Sequence, residues 1–467
     1  MGQIQTVSII GVGQIGTSIA AALTTNSPTL KINMYDVDRA QSVLLKTRFQ
    51  ELGLASDHIS FSDNAAQAAA EGDIVILATP ISTFGSVVTE IKDALKPGSI
   101  LTDIGSAKEM AIANITAALG ASPIPYIPAH NGNGSQGSGP LTGSPGNILG
   151  ANSWMFIIDR PQETEAEQAA KTRLIDFWKN AGVQVTTTDA ATHDRFFGTC
   201  SHFQHLVAFR LLDMSGIDEQ TNIPGTYSHS GTAFRNLTRV AISTKKPNQP
   251  SPLVKMWEPI LQQNGAKVCL AMDGFIGHLD RLSGLAKAGD KDGLLALLTE
   301  AHEFRKSIKD LEPRESISGE FSDQADYVVA ACLDDEPIMA QVEKYTNETQ
   351  LLTFAIAVAQ TLNARDGDEN LVRDKANPSF RDGTAACLYD PSHMCKVLLG
   401  NAPELERQCS ELKAGLQASR TAIEQGNKDS LESLIERARS ARTHIPGPRK
   451  GRDVRPEFMI NGPQFAA

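Results

Sequence analysis

A β-branched run, Val7-Ser-Ile-Ile10, enters Gly11-Val-Gly-Gln-Ile-Gly16, and the residues from Thr17 to Leu23 are small and compatible with a helix. That order of strand, tight turn and helix start leaves few folds open. Gly11 permits the turn, Gly13 lets backbone approach a pyrophosphate, and Gly16 allows a helix to pack closely. A second β-rich run, Lys31-Ile-Asn-Met-Tyr35, ends in Asp36, at about the twenty-residue spacing that a dinucleotide fingerprint requires. An acid there accepts hydrogen bonds from ribose hydroxyls and repels a 2'-phosphate, so NAD is expected, while Arg39 nearby keeps NADP open.

Further strands are expected at Asp73-Ile-Val-Ile-Leu-Ala-Thr79, Ser99-Ile-Leu-Thr-Asp103, Trp154-Met-Phe-Ile-Ile-Asp159 and Val183-Gln-Val185, each separated by helix-compatible sequence. Such alternation implies one parallel sheet covered by helices on both faces, a Rossmann-type α/β domain. Ala78-Thr-Pro80 and Asp103-Ile-Gly-Ser-Ala-Lys108 follow strand ends, where open α/β sheets bind ligands. The candidate cofactor residues are therefore Gly11, Gly13, Gln14, Ile15, Gly16, Asp36, Thr79 and Pro80.

The 467 residues are too many for a single ordinary core. A formal charge of -11 argues against nucleic acid or an anionic membrane as partner and for a small-molecule substrate. Six cysteines lie scattered, without C-x-x-C pairs or zinc-site spacing, and read as buried apolar residues in a reducing compartment. No metal is expected. With no secretory pattern at the start and no stretch apolar enough to span a bilayer, the cytoplasm is the expected location.

Downstream of the fingerprint, His130 opens a glycine-rich segment, His130-Asn-Gly-Asn-Gly-Ser-Gln-Gly-Ser-Gly-Pro140. An imidazole in a loosely held turn of a nucleotide-binding domain suggests a base beside a hydride acceptor.

Four blocks in order resemble the prephenate/arogenate dehydrogenase family, a branch of the 6-phosphogluconate dehydrogenase-like superfamily. They are Asp103-Ile-Gly-Ser-Ala-Lys108, the His130 segment, Thr192-His-Asp194 with Ser201-His-Phe-Gln-His205, and Phe234-Arg-Asn-Leu-Thr-Arg-Val-Ala241. The resemblance spans roughly residues 7 to 310. Three positions depart from the family pattern: Asn131 replaces a proline, Gln136 a glutamate and Gln204 a proline.

The resemblance implies oxidative decarboxylation of prephenate or arogenate, giving hydroxyphenylpyruvate or tyrosine. His130 would accept the ring-hydroxyl proton as hydride leaves the same carbon. Ser106 would hydrogen-bond the histidine or the hydroxyl, and Arg239 would pair with a substrate carboxylate. His205 and His202 would line the substrate, with Gln136 at the pocket mouth. Lys108 reads as solvated surface. The alternatives are a dehydrogenase of a modified prephenate-like cyclohexadienyl acid, motivated by the three departures, and a non-catalytic dinucleotide-binding regulatory protein.

Past Ala190 the pattern turns helical and runs beyond the family's usual length. Ser201-His-Phe-Gln-His-Leu-Val-Ala-Phe209 aligns with Thr346-Asn-Glu-Thr-Gln-Leu-Leu-Thr-Phe354, and Phe234–Ala241 aligns with Phe380-Arg-Asp-Gly-Thr-Ala-Ala-Cys387. Ala288-Gly-Asp-Lys-Asp-Gly-Leu294 aligns with Gln425-Gly-Asn-Lys-Asp-Ser-Leu431. An all-α domain in two tandem copies is expected, with Asn347, Gln350 and Ala385 standing where His202, His205 and Arg239 stand. The expected domains are residues 1–189 for the dinucleotide, 190–318 for the helical domain, 319–443 for its degenerate copy, and 444–467 for a proline-rich basic tail. Since the family's helical domains intertwine between subunits, a fused copy suggests a monomer built as an internal pseudo-dimer. A chorismate mutase in residues 404–442 is the weaker reading of the last helices, because their charges are spaced as a solvated face.

Overall fold

The computed structural model describes residues 4–134, 138–150, 153–221, 232–243, 251–308 and 336–443. The chain divides into two compact units that are not contiguous in sequence. The first comprises Met1–Phe203, Ser243–Ala271 and Ala422–Glu432; the second comprises Gln204–Ile242, Met272–Thr421 and Ser433–Ala467.

In the first unit, β1 (Thr6–Ile10), β2 (Lys31–Tyr35), β3 (Ile59–Phe61), β4 (Ile74–Leu77), β5 (Ile100–Asp103) and β6 (Tyr126–Ile127) form a parallel sheet in the order β3-β2-β1-β4-β5-β6. The central strands are mostly apolar and almost wholly buried because helices cover both faces, the ordinary consequence of parallel crossovers. Strand order reverses between β1 and β4, so their C-terminal ends flank a crevice. Helix α1 (Gln14–Asn26) starts there, and its buried face joins Ile19 and Leu23 to a core with Val7, Ile9, Ile32 and Ile76. The crossovers continue through α2 (Ala40–Glu51), α3 (Ala65–Glu71), α4 (Phe84–Ile91) and α5 (Lys108–Leu119).

The later strands do not extend this sheet, contrary to the single-sheet expectation. β7 (Ala129–Asn131), β8 (Met155–Asp159) and β9 (Val185–Asp189) form a second sheet, in which β7 is antiparallel to β8 and β8 parallel to β9. Only Pro128 separates β6 from β7, so the chain passes from one sheet to the other without a helix between them. Short α6 (Gly146–Leu149) and α7 (Glu165–Asn180) connect the strands; α7 opens with a capping box between Thr164 and Glu167. After α8 (Ala190–Phe197) comes a π-helical turn, Gly198–His202.

The remaining helices are α9 (Phe203–Thr221), α10 (Thr232–Thr238), α11 (Pro252–Gln263), α12 (Gly265–Lys287), α13 (Lys291–Ser307), α14 (Glu336–Lys375), α15 (Pro378–Gly383), α16 (Pro391–Gly400), α17 (Ala402–Glu424) and α18 (Lys428–Thr443). Within the second unit α13 packs against α14 and α16, and α10 against α14 and α15. Along α12 and α17, Lys287 pairs with Glu406 at 2.6 Å, Asp280 with Lys413 at 2.7 Å, and Asp273 with Arg420. Partner numbers fall by seven on one helix as they rise by seven on the other, which makes the two helices antiparallel neighbours. Among the described residues no helix is long and apolar enough to cross a membrane.

Candidate active site

Gly11 leaves β1 at φ +114°, and a Cβ there would lie 2.5 Å from the Ala78 carbonyl oxygen after β4. The turn is thus wedged at the strand-order reversal and admits no side chain. A Cβ on Gly16 would overlap the Gly11 carbonyl oxygen, whereas one on Gly13 would meet open space. Backbone N–H groups at the start of α1 therefore face room for a phosphate. Asp36, just past β2, accepts the Val12 N–H at 2.7 Å, and Arg39 is held by Asp63 at 3.0 Å. The Arg39–Asp63 pair is largely exposed and weak, so it does not by itself choose between cofactors; the acid at Asp36 fits NAD. Gln14 donates to Thr142 at 2.9 Å, and Thr79 accepts from Thr83 at 2.9 Å in the turn that contains Pro80. The loop after His130 returns to this turn: a Cβ on Gly134 would lie 3.4 Å from Gln14 Oε1 and 3.6 Å from Ile15 Cδ1.

His130 sits on β7, opposite Phe156 of β8, and is 6% exposed. It is held by sheet pairing and not by a loose turn, because the glycines begin only at Gly132. Phe197 packs edge-on at 4.4 Å between ring centroids, and Phe156 stacks at 6.3 Å. His130 Nδ1 lies 2.9 Å from His193 Nε2, and His193 Nδ1 lies 2.8 Å from Asp194 Oδ1. Asp194 also accepts the Lys108 N–H at 2.7 Å and the Glu109 N–H at 2.8 Å, so its carboxylate caps α5. Although burial pushes Asp194 upward, the His193 bond and these backbone donors hold its pKa below the usual value.

This geometry assigns the tautomers. A carboxylate only accepts, so His193 Nδ1 must carry hydrogen; its Nε2 then accepts, His130 Nδ1 donates, and His130 Nε2 keeps its lone pair. Desolvation, followed by His193, Lys108 and His202, lowers the His130 pKa well below the ordinary imidazole value. Burial likewise lowers His193, against the pull of Asp194. The result is a neutral, oriented base with a relay behind it.

Lys108 corrects the surface expectation. It is completely buried, and its Nζ pairs with Asp103 and donates to the Ala129 carbonyl at 2.6 Å, beside His130. Asp103 further accepts from Tyr126 Oη at 2.8 Å and Gly105 N–H at 2.9 Å. No hydrogen bond joins Ser106 to His130 among the described residues; His130 Nδ1 meets His193 instead, and Ser106 is half-buried. His202 is buried in the same unit, 2.9 Å from Asn264 and near Trp257. In the second unit, His205 is buried near Phe209, Gln204 is buried, and Arg239 pairs with Asp382. Gln136 lies outside the described residues, as do Cys332 and the basic tail. The described cysteines are free and buried. No group of residues able to hold a metal occurs among the described residues.

Residues 19–187 match the family described as prephenate dehydrogenase, nucleotide-binding domain, and residues 189–300 match prephenate dehydrogenase, dimerization domain. The chain belongs to the prephenate/arogenate dehydrogenase family. Cyclohexadienyl dehydrogenase of Zymomonas mobilis is 28% identical over 304 residues, covering 65% of this chain and 96% of that protein. Prephenate dehydrogenase of Bacillus subtilis is 26% identical over 304 residues, covering 65% and 76%. The crystal structure of prephenate dehydrogenase from A. aeolicus, in complex with hydroxyphenyl propionate and NAD+, is 25% identical with a TM-score of 0.54, covering 66% of this chain and 99% of that one. Family members are NAD-dependent oxidoreductases.

The site contains residues that sequence reasoning named without a role. His193 and Asp194 were visible only as the Thr192-His-Asp194 block, and nothing in their spacing shows that α8 turns His193 toward β7.

Proposed function

We propose that this protein catalyses NAD-dependent oxidative decarboxylation of prephenate or arogenate, a step of tyrosine biosynthesis. The observation that carries the reading is the chain of hydrogen bonds from Asp194 through His193 to His130, which leaves one imidazole lone pair in a buried site. NAD, when bound, supplies the hydride acceptor; Gly11, Gly13 and Gly16 would admit it, and Asp36 would hold its ribose.

His130 Nε2 takes the proton of the ring hydroxyl. The charge that forms is shared toward His193 and Asp194, while Lys108 holds the adjacent strand in place. Ser106 bonds the hydroxyl, and Arg239 pairs with a substrate carboxylate. Loss of the ring carboxylate as carbon dioxide leaves an aromatic phenolate, which takes the proton back from His130 Nε2 to become the phenol, and aromatisation makes the reaction strongly downhill. The deciding experiment follows NADH or NADPH absorbance with purified protein, offering prephenate and arogenate with each cofactor. Turnover of at least one substrate, with NAD preferred, is expected; no turnover of either overturns the reading. The relatives favour neither a modified substrate nor a non-catalytic role.

The helical part is read as two tandem copies, within the domain boundaries near residues 189, 318 and 443. The order of elements supports this. Helices α10, α11, α12 and α13, with lengths of 7, 12, 23 and 17 residues, recur as α15, α16, α17 and α18, with 6, 10, 23 and 16. A short 3-10 turn follows both α10 and α15, and Pro follows the N-cap of both α11 and α16. Gly289 at φ 66° with N-cap Asp290, and Gly426 at φ 62° with Asn427, make the same corner before α13 and α18.

Contacts in the second unit are also reciprocal. Arg305 of α13 donates to the Arg381 carbonyl of α15 at 3.0 Å, and its counterpart Arg442 of α18, whose pKa is lowered chiefly by burial, also feels the like charge of Arg235 of α10. Reciprocity of this sort belongs to a two-fold interface, here within one chain. A monomer is expected, and light scattering at low concentration should give a mass near 50.1 kDa. A dimer under those conditions overturns the pseudo-dimer.

A further inference from the structure

Arg239 opens the 3-10 turn after α10, and its guanidinium pairs with the carboxylate of Asp382 on α15, within the same compact unit. The Asp382 side chain is 2% exposed and that of Arg239 20%. Phe380 and Thr384 on either side of Asp382 are buried, and Thr384 Oγ1 is tied to the Phe380 carbonyl at 2.7 Å, so the acid is presented from a fixed turn.

The aligned segments show what each copy has kept. Phe234-Arg-Asn-Leu-Thr-Arg239 faces Phe380-Arg-Asp-Gly-Thr-Ala385. The first has the arginine and, at the acid's position, Asn236; the second has the acid and, at the arginine's position, Ala385. Two intact copies in reciprocal contact would form such an ion pair twice. This chain has kept one arginine and one acid, on opposite copies, and the structure brings those two together.

We propose that the second helical copy is a working part of the substrate site, in which Asp382 acts as the positioning residue for Arg239. This rests on the assignment of Arg239 to a substrate carboxylate. A guanidinium has five N–H donors in a planar fork. An acid fixed on one edge sets the plane and rotamer of the group, so that another edge meets an incoming carboxylate in bidentate geometry without ordering a long side chain at that moment. An anion beside the fork also weakens its attraction for a second anion. Orientation outweighs this, because a mostly buried guanidinium deprived of its counter-charge would turn toward water.

The test compares Asp382→Asn and Asp382→Glu with the wild-type protein. For Asp382→Asn, KM for prephenate or arogenate should rise about tenfold, the size of a lost charge-assisted contact, with kcat changed much less. KM for NAD should stay unchanged, and Asp382→Glu should recover most of the loss. Binding gives a second readout: affinity for hydroxyphenyl propionate should fall about as much, while affinity for ethylphenol, which lacks the carboxylate, should not move. A substrate KM unchanged in folded Asp382→Asn overturns the proposal, as does an equal loss for both phenols, which would mean general distortion. Should Asp382→Asn fail to fold, Asp382→Ser decides in its place through the same pair of ligands, a selective loss for the carboxylate supporting the proposal and none overturning it. Wild-type protein that neither turns over nor binds these compounds overturns the functional reading together with this one, whereas wild-type turnover with an indifferent Asp382 removes this inference only.

Discussion

Replacing His130 with asparagine is expected to lower kcat by on the order of a thousandfold or more while leaving NAD affinity intact, the upper part of the range for a lost general base. Asparagine retains a donor for His193 but has no lone pair that titrates, and it shortens the reach toward a substrate. The residues proposed to hold NAD, Gly11, Gly13 and Asp36, do not touch the imidazole. Steady-state kinetics with fluorescence titration of NAD separates the two effects, and a loss of less than tenfold would exclude His130 as the base.

The same residue sets the pH behaviour. Because desolvation and its cationic neighbours keep His130 neutral well below the ordinary imidazole pKa, kcat/KM should hold to lower pH than a solvent-exposed histidine would allow. Stability runs the other way. Above the unfolded value near 6.5 both His130 and His193 are neutral in either state. As pH falls below it, the unfolded chain takes up protons that the folded histidines refuse, so the stability contributed by keeping them neutral is lost progressively toward their lower folded values. Thermal midpoints should therefore decline below about pH 6.5, and the decline should be smaller in His130→Asn.

Lys108→Met is expected to be the most damaging single change to stability. The pair with Asp103 is wholly buried, and removing one partner from such a pair costs about 3–5 kcal/mol because the other charge stays behind in a dry site. Methionine matches the stem but leaves Asp103 with only the Tyr126 hydroxyl and nearby N–H groups as donors. The Ala129 carbonyl also loses the Nζ donor, next to His130. A drop of about 10 °C in the melting of the α/β unit follows from these figures, to be read by calorimetry. Adding Asp103→Asn should restore part of it, since a neutral amide tolerates burial without a cation; a double variant no more stable than the single one would mean that Lys108 acts through packing. Any surviving Lys108→Met activity should have its low-pH limb moved upward, because one of the charges that depress His130 is gone.

Much of the nucleotide-binding part was legible because each signal is local. The β-branched run, the glycine spacing and Asp36 each follow from backbone sterics and pleat over a few residues, and the structure places β1, α1 and β2 where those signals imply. Strand positions after β5 were legible but their sheet was not: Trp154–Asp159 reads as a buried strand in any parallel sheet, and only the short passage through Pro128 sends β7 antiparallel onto β8. The apolar positions shared between the aligned helical segments were likewise legible in the sequence.

Lys108 and His193 mark the limit. A lysine five residues after an aspartate looks solvated, since lysines usually are, and burial becomes favourable only when a carboxylate and a carbonyl from different segments converge on its Nζ. His193 becomes a relay only because α8 brings it within hydrogen-bond reach of a strand some sixty residues earlier, His130. Sequence by itself determined what can be decided between near neighbours: the glycine turn after β1, the acid after β2, the family blocks and the periodicity of the helices. Tertiary structure alone decided which polar groups lose water together, and hence which histidine is neutral, which tautomer it holds and which acid meets Arg239, because those outcomes depend on desolvation and on charges brought close from distant parts of the chain.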